Sequence, residues 1–319
     1  MNQVGGPRQG GAPNRTSTPK KAASNSTTTL TAQASASLSG VTWPQRGQAA
    51  LVLGDGDPAA SPDQQPVPIA SVAKVMTAYL TLKLYPLNGA QGGFTITITA
   101  AEAQAELHDA ALDQSVAAVQ TGEQLSERQL LEALLVPSGN NIAWVLAARV
   151  GGSGASFVAE MNSEARALGM DHTVYTDPSG WDPGTVSTAA DQLRVFQAAM
   201  GFPVFDQIVS MPSVTLPVAG TLTNTDPVLA EDYTGKTGSD SEAGACLAFF
   251  TDVTVHGRQL TAVGVVLGQW EDDSTSVDLD AAGEAAEQLV DSISQSIAPE
   301  AANRLRGGPS QEPSDVGGH

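Results

Sequence analysis

Apolar and polar positions along the chain follow two different periods. Ala49-Ala50-Leu51-Val52-Leu53 is a continuous apolar run closed by Gly54-Asp55-Gly56-Asp57-Pro58, which predicts a strand. A helix is predicted from at or beside Ser71 to about Leu84, before Pro86. Phe94-Thr95-Ile96-Thr97-Ile98 alternates like a short strand. Ser126-Glu127-Arg128-Gln129 is a capping box, with Gln129 three residues after a serine cap, and opens a helix to about Leu135. Pro137-Ser138-Gly139-Asn140 breaks it. Further helices are predicted over Asn141 to Val150, stopped by Gly151-Gly152, over Gly154 to Leu168, and over Asp191 to Met200. The pattern then turns to strands: Tyr233–Thr237, Ala245–Thr251 and Leu260–Leu267, the last two separated by a turn at His256-Gly257. A closing helix, about Asp278 to Ile297, aligns Leu279, Ala282, Ala286, Leu289, Val290, Ile293 and Ile297 on one face, a stripe for packing on a core. It carries no Lys or Arg, which argues against a membrane-surface anchor. Strand, helices, strands, helix: such segregation predicts an α+β fold.

Composition narrows the partners. The 319 residues hold 34 acids and 15 Lys or Arg, a formal charge of −19. An acidic chain is poorly suited to displacing counterions from phosphates, so no nucleic-acid partner is expected. The single cysteine, Cys246, excludes an intramolecular disulfide and a Cys-rich zinc site, and reads as a small buried residue on a strand. Residues 1–40 carry Arg8, Arg15, Lys20 and Lys21, no acid and little that is apolar, so they are predicted to be a disordered basic tail. That tail lacks an apolar signal-peptide core of about 7–15 residues. No stretch reaches the roughly 18–20 apolar residues of a membrane span. Residues 300–319 are predicted to form a second flexible end, leaving one catalytic domain over 41–299.

Within that domain there are only three lysines: Lys74, Lys83 and Lys236. Lys74 closes Ser71-Val72-Ala73-Lys74 near a helix start, a spacing that puts hydroxyl and amine on one helical face. Shielded from water, such an amine drops in pKa and can act as a base toward the serine, a nucleophile–base pair without histidine. Ser138-Gly139-Asn140 lies in the loop between two helices, and Lys236-Thr237-Gly238 on a predicted strand. Each motif alone is commonplace: a surface lysine, a turn, a strand end. Their conjunction, in this order and on these elements, is far more specific.

The conjunction resembles the serine D-alanyl-D-alanine carboxypeptidases of the β-lactamase/transpeptidase-like superfamily. Pro68-Ile69-Ala70-Ser71-Val72-Ala73-Lys74-Val75-Met76-Thr77-Ala78 looks like their nucleophile segment. Leu134-Leu135-Val136-Pro137-Ser138-Gly139-Asn140-Asn141 is similar to their second motif, with Gly where class A β-lactamases usually have Asp. Asp177-Pro178-Ser179-Gly180, Ser187-Thr188-Ala189, Thr223-Asn224-Thr225 and Gly235-Lys236-Thr237-Gly238 extend the likeness, which runs from about residue 44 to 297. The resemblance implies an antiparallel sheet flanked by helices, a helical subdomain, and a site between them. It implies that Ser71 forms an acyl-enzyme, Lys74 takes its proton, Ser138 relays a proton to the leaving D-alanine, and Asn140 orients lysine and substrate. It assigns substrate binding to Lys236, Thr237, Gly238 and Ser239, with the N–H groups of Ser71 and Ser239 as oxyanion hole. It implies a peptidoglycan stem peptide ending in D-Ala-D-Ala as substrate, covalent binding of β-lactams, and work in the cell envelope.

Two departures from the pattern stand out. No basic residue lies between Arg194 and Lys236, where some relatives place an arginine for the terminal carboxylate. The likeness also stops at the last helix, short of the β-rich C-terminal domain of some relatives. No Glu-x-x-Leu-Asn follows Ser138 to supply a deacylating base, which disfavours a β-lactamase; a substitute would have to come from the acids between Asp177 and Asp191. A D,D-endopeptidase and a non-catalytic penicillin-binding module remain as alternatives. His108, His172, His256 and His319 have no metal-ligand spacing, and no Gly-x-Ser-x-Gly supports a Ser-His-Asp triad, so no metal or cofactor is expected. Glu271-Asp272-Asp273 reads as a solvated loop.

Overall fold

A computed structural model describes Leu38, residues 40–270 and residues 279–296. The expectations for most of the 1–40 tail, for Glu271-Asp272-Asp273, for Ile297 and His319, and for 300–319 fall outside these residues. Leu38 is an exception to the expected tail: it packs with Val41 and Trp43 against the core.

The chain opens with β1 (Gln48–Leu53), β2 (Ala59–Ala60) and β3 (Val67–Pro68). A 3-10 turn over Ala70–Ala73 runs directly into α1 (Lys74–Leu84). The single helix expected from Ser71 is therefore two elements, with Ser71 on the tighter one. Next come β4 (Thr95–Thr97), α2 (Ala100–Ala111), β5 (Gln124–Ser126), α3 (Glu127–Leu135), α4 (Asn140–Gly151) and α5 (Gly154–Ala167). The Ser126 capping box forms as predicted, each side chain bonding the other's backbone N–H. Then follow β6 (Val186–Ser187), α6 (Ala189–Met200), α7 (Pro203–Val209) and the hairpin β7 (Ser213–Leu216) with β8 (Gly220–Thr223). The chain returns through β9 (Thr234–Asp240), β10 (Gly244–Val255) and β11 (Arg258–Gln269) to α8 (Leu279–Ser296).

The main sheet is antiparallel, in the order β2-β1-β11-β10-β9. Both of its faces are covered. Ala49, Leu51, Leu53, Leu247 and Phe249 face Ala282, Ala286, Leu289 and Ile293 of α8. Ala50, Val52, Ala248 and Val265 belong to a second core with Val72, Val75 and Met76 at the start of α1 and Leu193 and Phe196 of α6. A strand covered on both faces reads as an unbroken apolar run, which is why the Ala49–Leu53 segment shows no alternation. α1 is buried from Lys74 through Leu82 and forms the axis of the helical half. β9 is the sheet edge, and the 3-10 turn carrying Ser71 packs against it. Among the described residues no single helix is long and apolar enough to cross a membrane.

Candidate active site

The turn that carries Ser71 is held from two sides by glycines. Ala70, the residue before it, has φ +45°, a left-handed backbone that alanine adopts at a cost of about 1–3 kcal/mol. Gly180 lies so close that a Cβ there would stand 1.8 Å from the Ala70 carbonyl oxygen. Gly238 of β9 lies on the other side; a Cβ there would stand 2.8 Å from the backbone nitrogens of both Ser71 and Val72. The strained turn persists because its surroundings leave it no other position.

Lys74 follows one turn later and is fully buried. Its Nζ lies 2.5 Å from Ser71 Oγ, 2.6 Å from Asn140 Oδ1 and 3.1 Å from the Ser179 carbonyl oxygen. Burial lowers the Lys74 pKa well below the ordinary lysine value, and the charge of Lys236 adds to this; Asp177 opposes it. The neutral amine has two hydrogens and one lone pair. The Asn140 and Ser179 oxygens can only accept, so in the neutral amine they would take the two hydrogens and leave the lone pair for the Ser71 hydroxyl, whereas the protonated amine donates to all three oxygens. The neutral form has the arrangement of a general base on a nucleophile.

Ser138 sits between α3 and α4 with φ +64°. Its Oγ is buried and has no hydrogen-bond partner among the described residues. An orphaned hydroxyl of this kind costs about 1–3 kcal/mol. Asn140 opens α4; its backbone N–H donates to the Ser115 carbonyl at 2.7 Å and its Nδ2 to Gln114 Oε1 at 2.8 Å.

Lys236 and Thr237 are buried on β9. Lys236 Nζ donates to the Thr237 carbonyl at 2.7 Å. Burial pulls the Lys236 pKa down to about 7, against the opposing charge of Asp226. Burial pushes Asp226 up to about 6, and its Oδ2 has no hydrogen-bond partner among the described residues. The Thr237 and Thr225 hydroxyl oxygens are 2.6 Å apart, tying β9 to the segment after β8. Ser239, next to Gly238, is the first exposed residue of β9.

Of the residues named from sequence, Ser71, Lys74 and Asn140 meet through direct contacts and Gly238 through its approach to Ser71, and Lys236 acts on Lys74 through its charge; the Ser138 hydroxyl bonds none of them. Sequence reasoning considered Asp177 only as one of the acids that could activate water, and gave no role to Gln114. The Asp177 carboxylate accepts from the N–H groups of Ser179, Gly180 and Trp181 and from the hydroxyls of Ser179 and Thr185. It thereby folds the loop that delivers the Ser179 carbonyl to Lys74 and the Pro178 carbonyl to Thr77 Oγ1, 2.7 Å away. An Asp two residues before a Ser-Gly is a turn signal, which could have revealed this. No sequence signal marks Gln114.

The acids considered as a substitute water-activating base have other tasks. Asp177 holds its loop, Asp182 accepts from the Gly184 N–H at 2.8 Å, and Asp191 accepts from the His172 N–H and the Thr173 hydroxyl. Of the histidines, His108 lies in the last turn of α2, His172 follows α5 and His256 turns the β10–β11 hairpin. Cys246 is fully buried on β10, and burial pushes its thiol up to about 12.

The chain is 34% identical over 224 residues to D-alanyl-D-alanine carboxypeptidase DacB2 of Mycobacterium tuberculosis, covering 68% of this chain and 72% of the relative. It is 32% identical over 197 residues to a D-alanyl-D-alanine endopeptidase of Pseudomonas aeruginosa, covering 59% of this chain and 60% of the relative. The crystal structure of the Streptomyces K15 DD-transpeptidase superimposes with a TM-score of 0.66 at 25% identity, over 79% of this chain and 99% of that one. The expected transpeptidase-like α+β fold is thus the fold observed. The family profile described as peptidase S11, D-alanyl-D-alanine carboxypeptidase, matches residues 59–270, and the chain belongs to that family of serine hydrolases.

Proposed function

We propose that the chain removes the terminal D-alanine from peptidoglycan stem peptides in the cell envelope, through an acyl-enzyme on Ser71. One observation carries this reading: the buried Lys74 Nζ lies 2.5 Å from Ser71 Oγ while also contacting two acceptor-only oxygens, Asn140 Oδ1 and the Ser179 carbonyl, which in the neutral amine would take both hydrogens and leave the lone pair for Ser71. Lys74 takes the Ser71 proton as Oγ bonds to the carbonyl carbon of the penultimate D-alanine. The N–H groups of Ser71 and Ser239 hold the resulting oxyanion. The Ser138 hydroxyl passes the proton to the leaving amine, the C–N bond breaks, and free D-alanine departs. Water then attacks the ester, activated by the same Lys74 and Ser138, and Ser71 recovers its proton. Lys236 and Thr237 hold the substrate carboxylate, with Gly238 letting β9 lie close to Ser71.

β-Lactams enter the same path, but their leaving nitrogen stays tethered and blocks the water. A D,D-endopeptidase activity is the second reading. It is favoured by the lack of a basic residue between Arg194 and Lys236, which leaves the terminal carboxylate fewer charged contacts.

The test is incubation with a fluorescent penicillin, then with a pentapeptide and a cross-linked dimer, for wild type and Ser71→Ala. Labelling and D-alanine release that vanish in Ser71→Ala are expected, with the fold retained because Ser71 caps no helix. Labelling that persists in Ser71→Ala overturns the assignment, and release from the dimer alone moves it to the endopeptidase.

A further inference from the structure

The base in this site works only if the Asn140 amide points the right way. With its oxygen toward Lys74 it accepts an N–H and leaves the lone pair free. Turned over, the amide would present N–H to the same amine and compete with the Ser71 hydroxyl for the lone pair. An isolated asparagine has little to decide between the two, because its oxygen and NH2 are nearly the same size. Something next to Asn140 must read the difference.

We infer that Gln114 is a positioning residue that fixes the Asn140 amide with its oxygen toward Lys74, so that the amine lone pair is kept for Ser71. The inference rests on the Ser71–Lys74 reading proposed above and extends it to a residue outside the motifs. Gln114 Oε1 lies 2.8 Å from Asn140 Nδ2 and can only accept, so it selects the NH2 end of that amide. The sense of Gln114 is itself fixed. Its Nε2 faces Asp109 Oδ1 at 3.5 Å, a weak contact but one with a group that accepts when ionised. The order is therefore carboxylate, amide, amide, amine, hydroxyl, and each donor–acceptor choice dictates the next.

The backbone makes this a rigid reader rather than a chance neighbour. Two residues past the end of α2, Asp113 has a φ of +57° and turns the chain back. The Gln114 N–H bonds the Asp109 carbonyl, and the Ser115 carbonyl accepts the Asn140 N–H. Ala117 exchanges two hydrogen bonds with the Asn141 side chain, at 3.0 and 2.8 Å. The 114–117 strap is thus stitched to the start of α4 on both sides of the amide it reads.

The experiment compares wild type, Gln114→Met and Gln114→Glu. Methionine keeps the length and lacks a strong acceptor; glutamate keeps an acceptor and adds charge. The readouts are the second-order rate of labelling by fluorescent penicillin between pH 5 and 10, kcat and KM for the pentapeptide, and Tm. Gln114→Met is expected to label about ten- to a hundredfold more slowly, with kcat reduced and KM near wild type. Gln114→Glu is expected to label within about threefold of wild type at its optimum. Its acid limb should lie at higher pH, because a second nearby negative charge stabilises the protonated Lys74. Wild-type labelling by Gln114→Met overturns the inference, and so does an equal loss in Gln114→Glu, since a merely structural role would not spare the acceptor. Should Gln114→Met fail to fold, Gln114→Glu decides: slow labelling or an unmoved acid limb overturns it. Failure of the wild type to label, or labelling of Ser71→Ala, is a different result and strikes the Ser71–Lys74 reading itself.

Discussion

Replacing Gly180 by alanine asks whether the nucleophile turn is held by what surrounds it. The new Cβ would lie 1.8 Å from the Ala70 carbonyl oxygen and 2.5 Å from its carbon, at a residue with φ +81°. Left-handed backbone costs alanine about 1 kcal/mol. The contact is with backbone, so relief requires the 177–185 loop or the 70–73 turn to shift, and overpacking of this kind costs roughly 1–3 kcal/mol. The sum, roughly 2–4 kcal/mol, corresponds to a fall in Tm of about 4–16 °C for a domain of this size. Gly220→Ala is the matched control: its φ is +71°, with nothing within 4 Å of the new Cβ. It pays only the conformational part, about 1 kcal/mol, or about 2–4 °C. Thermal unfolding and the rate of fluorescent-penicillin labelling are measured on both. Gly180→Ala should label about a hundredfold more slowly at temperatures where it remains folded, because moving Ala70 moves Ser71. Gly220→Ala should label as wild type. Equal Tm and equal labelling in the two variants would refute the idea that Gly180 positions Ser71.

Other outcomes follow from the same site. The penicilloyl adduct on Ser71 should survive for minutes or longer in intact-protein mass spectrometry, because Asp177, Asp182 and Asp191 are all engaged in local hydrogen bonds; rapid return of the unmodified mass with many-fold consumption of penicillin would mean a β-lactamase. Asp226→Asn removes the carboxylate that opposes the burial-driven fall of the Lys236 pKa to about 7. Lys236 is charged below that value and neutral above it, so the variant should raise KM for the peptide at pH 7 and move the alkaline limb of kcat/KM to lower pH; an unmoved limb would show that Asp226 does not act on Lys236. Asp177→Asn should lower stability by at least about 2 kcal/mol in denaturant unfolding, since a carboxylate accepting several donors becomes an amide with one oxygen; an unchanged midpoint would show that those bonds contribute little.

Elements with strong local signals were legible in the sequence. The α8 stripe, the Ser126 box and the His256-Gly257 turn all appear where their patterns stand, within a few residues at the ends. α2 was missed although Thr99 and Glu102 form a full capping box, because its Ala-rich body buries only Glu106 and shows little apolar period. The β7–β8 hairpin and α7 are short, and their patterns give way to packing against α3 and β9. For the site, residue identities were readable because three motifs in order narrow the chemistry. What was not readable is tertiary: the left-handed backbone at Ala70 and Ser138, and the amide partner that Gln114 offers Asn140. Such features exist only once segments distant in sequence have met. Asp177 falls between, since its turn is local but the delivery of Ser179 to Lys74 is not.

The register of β1 also has a consequence for how the protein is made. Gln48 pairs with Leu267 and Leu53 with Ala262, so the whole helical half is spelled out between one strand and its partner. At about 5–20 residues per second, β1 emerges from the ribosome roughly 10–40 seconds before β11 exists. During that time Ala49-Ala50-Leu51-Val52-Leu53 is an uncharged, β-prone segment with both faces and both edges open. Contacts this remote in sequence close late and slow the final folding step. The Gly54-Asp55-Gly56-Asp57-Pro58 stretch that ends the strand places two charges and a proline beside it, the composition that interrupts strand-to-strand aggregation of nascent chains.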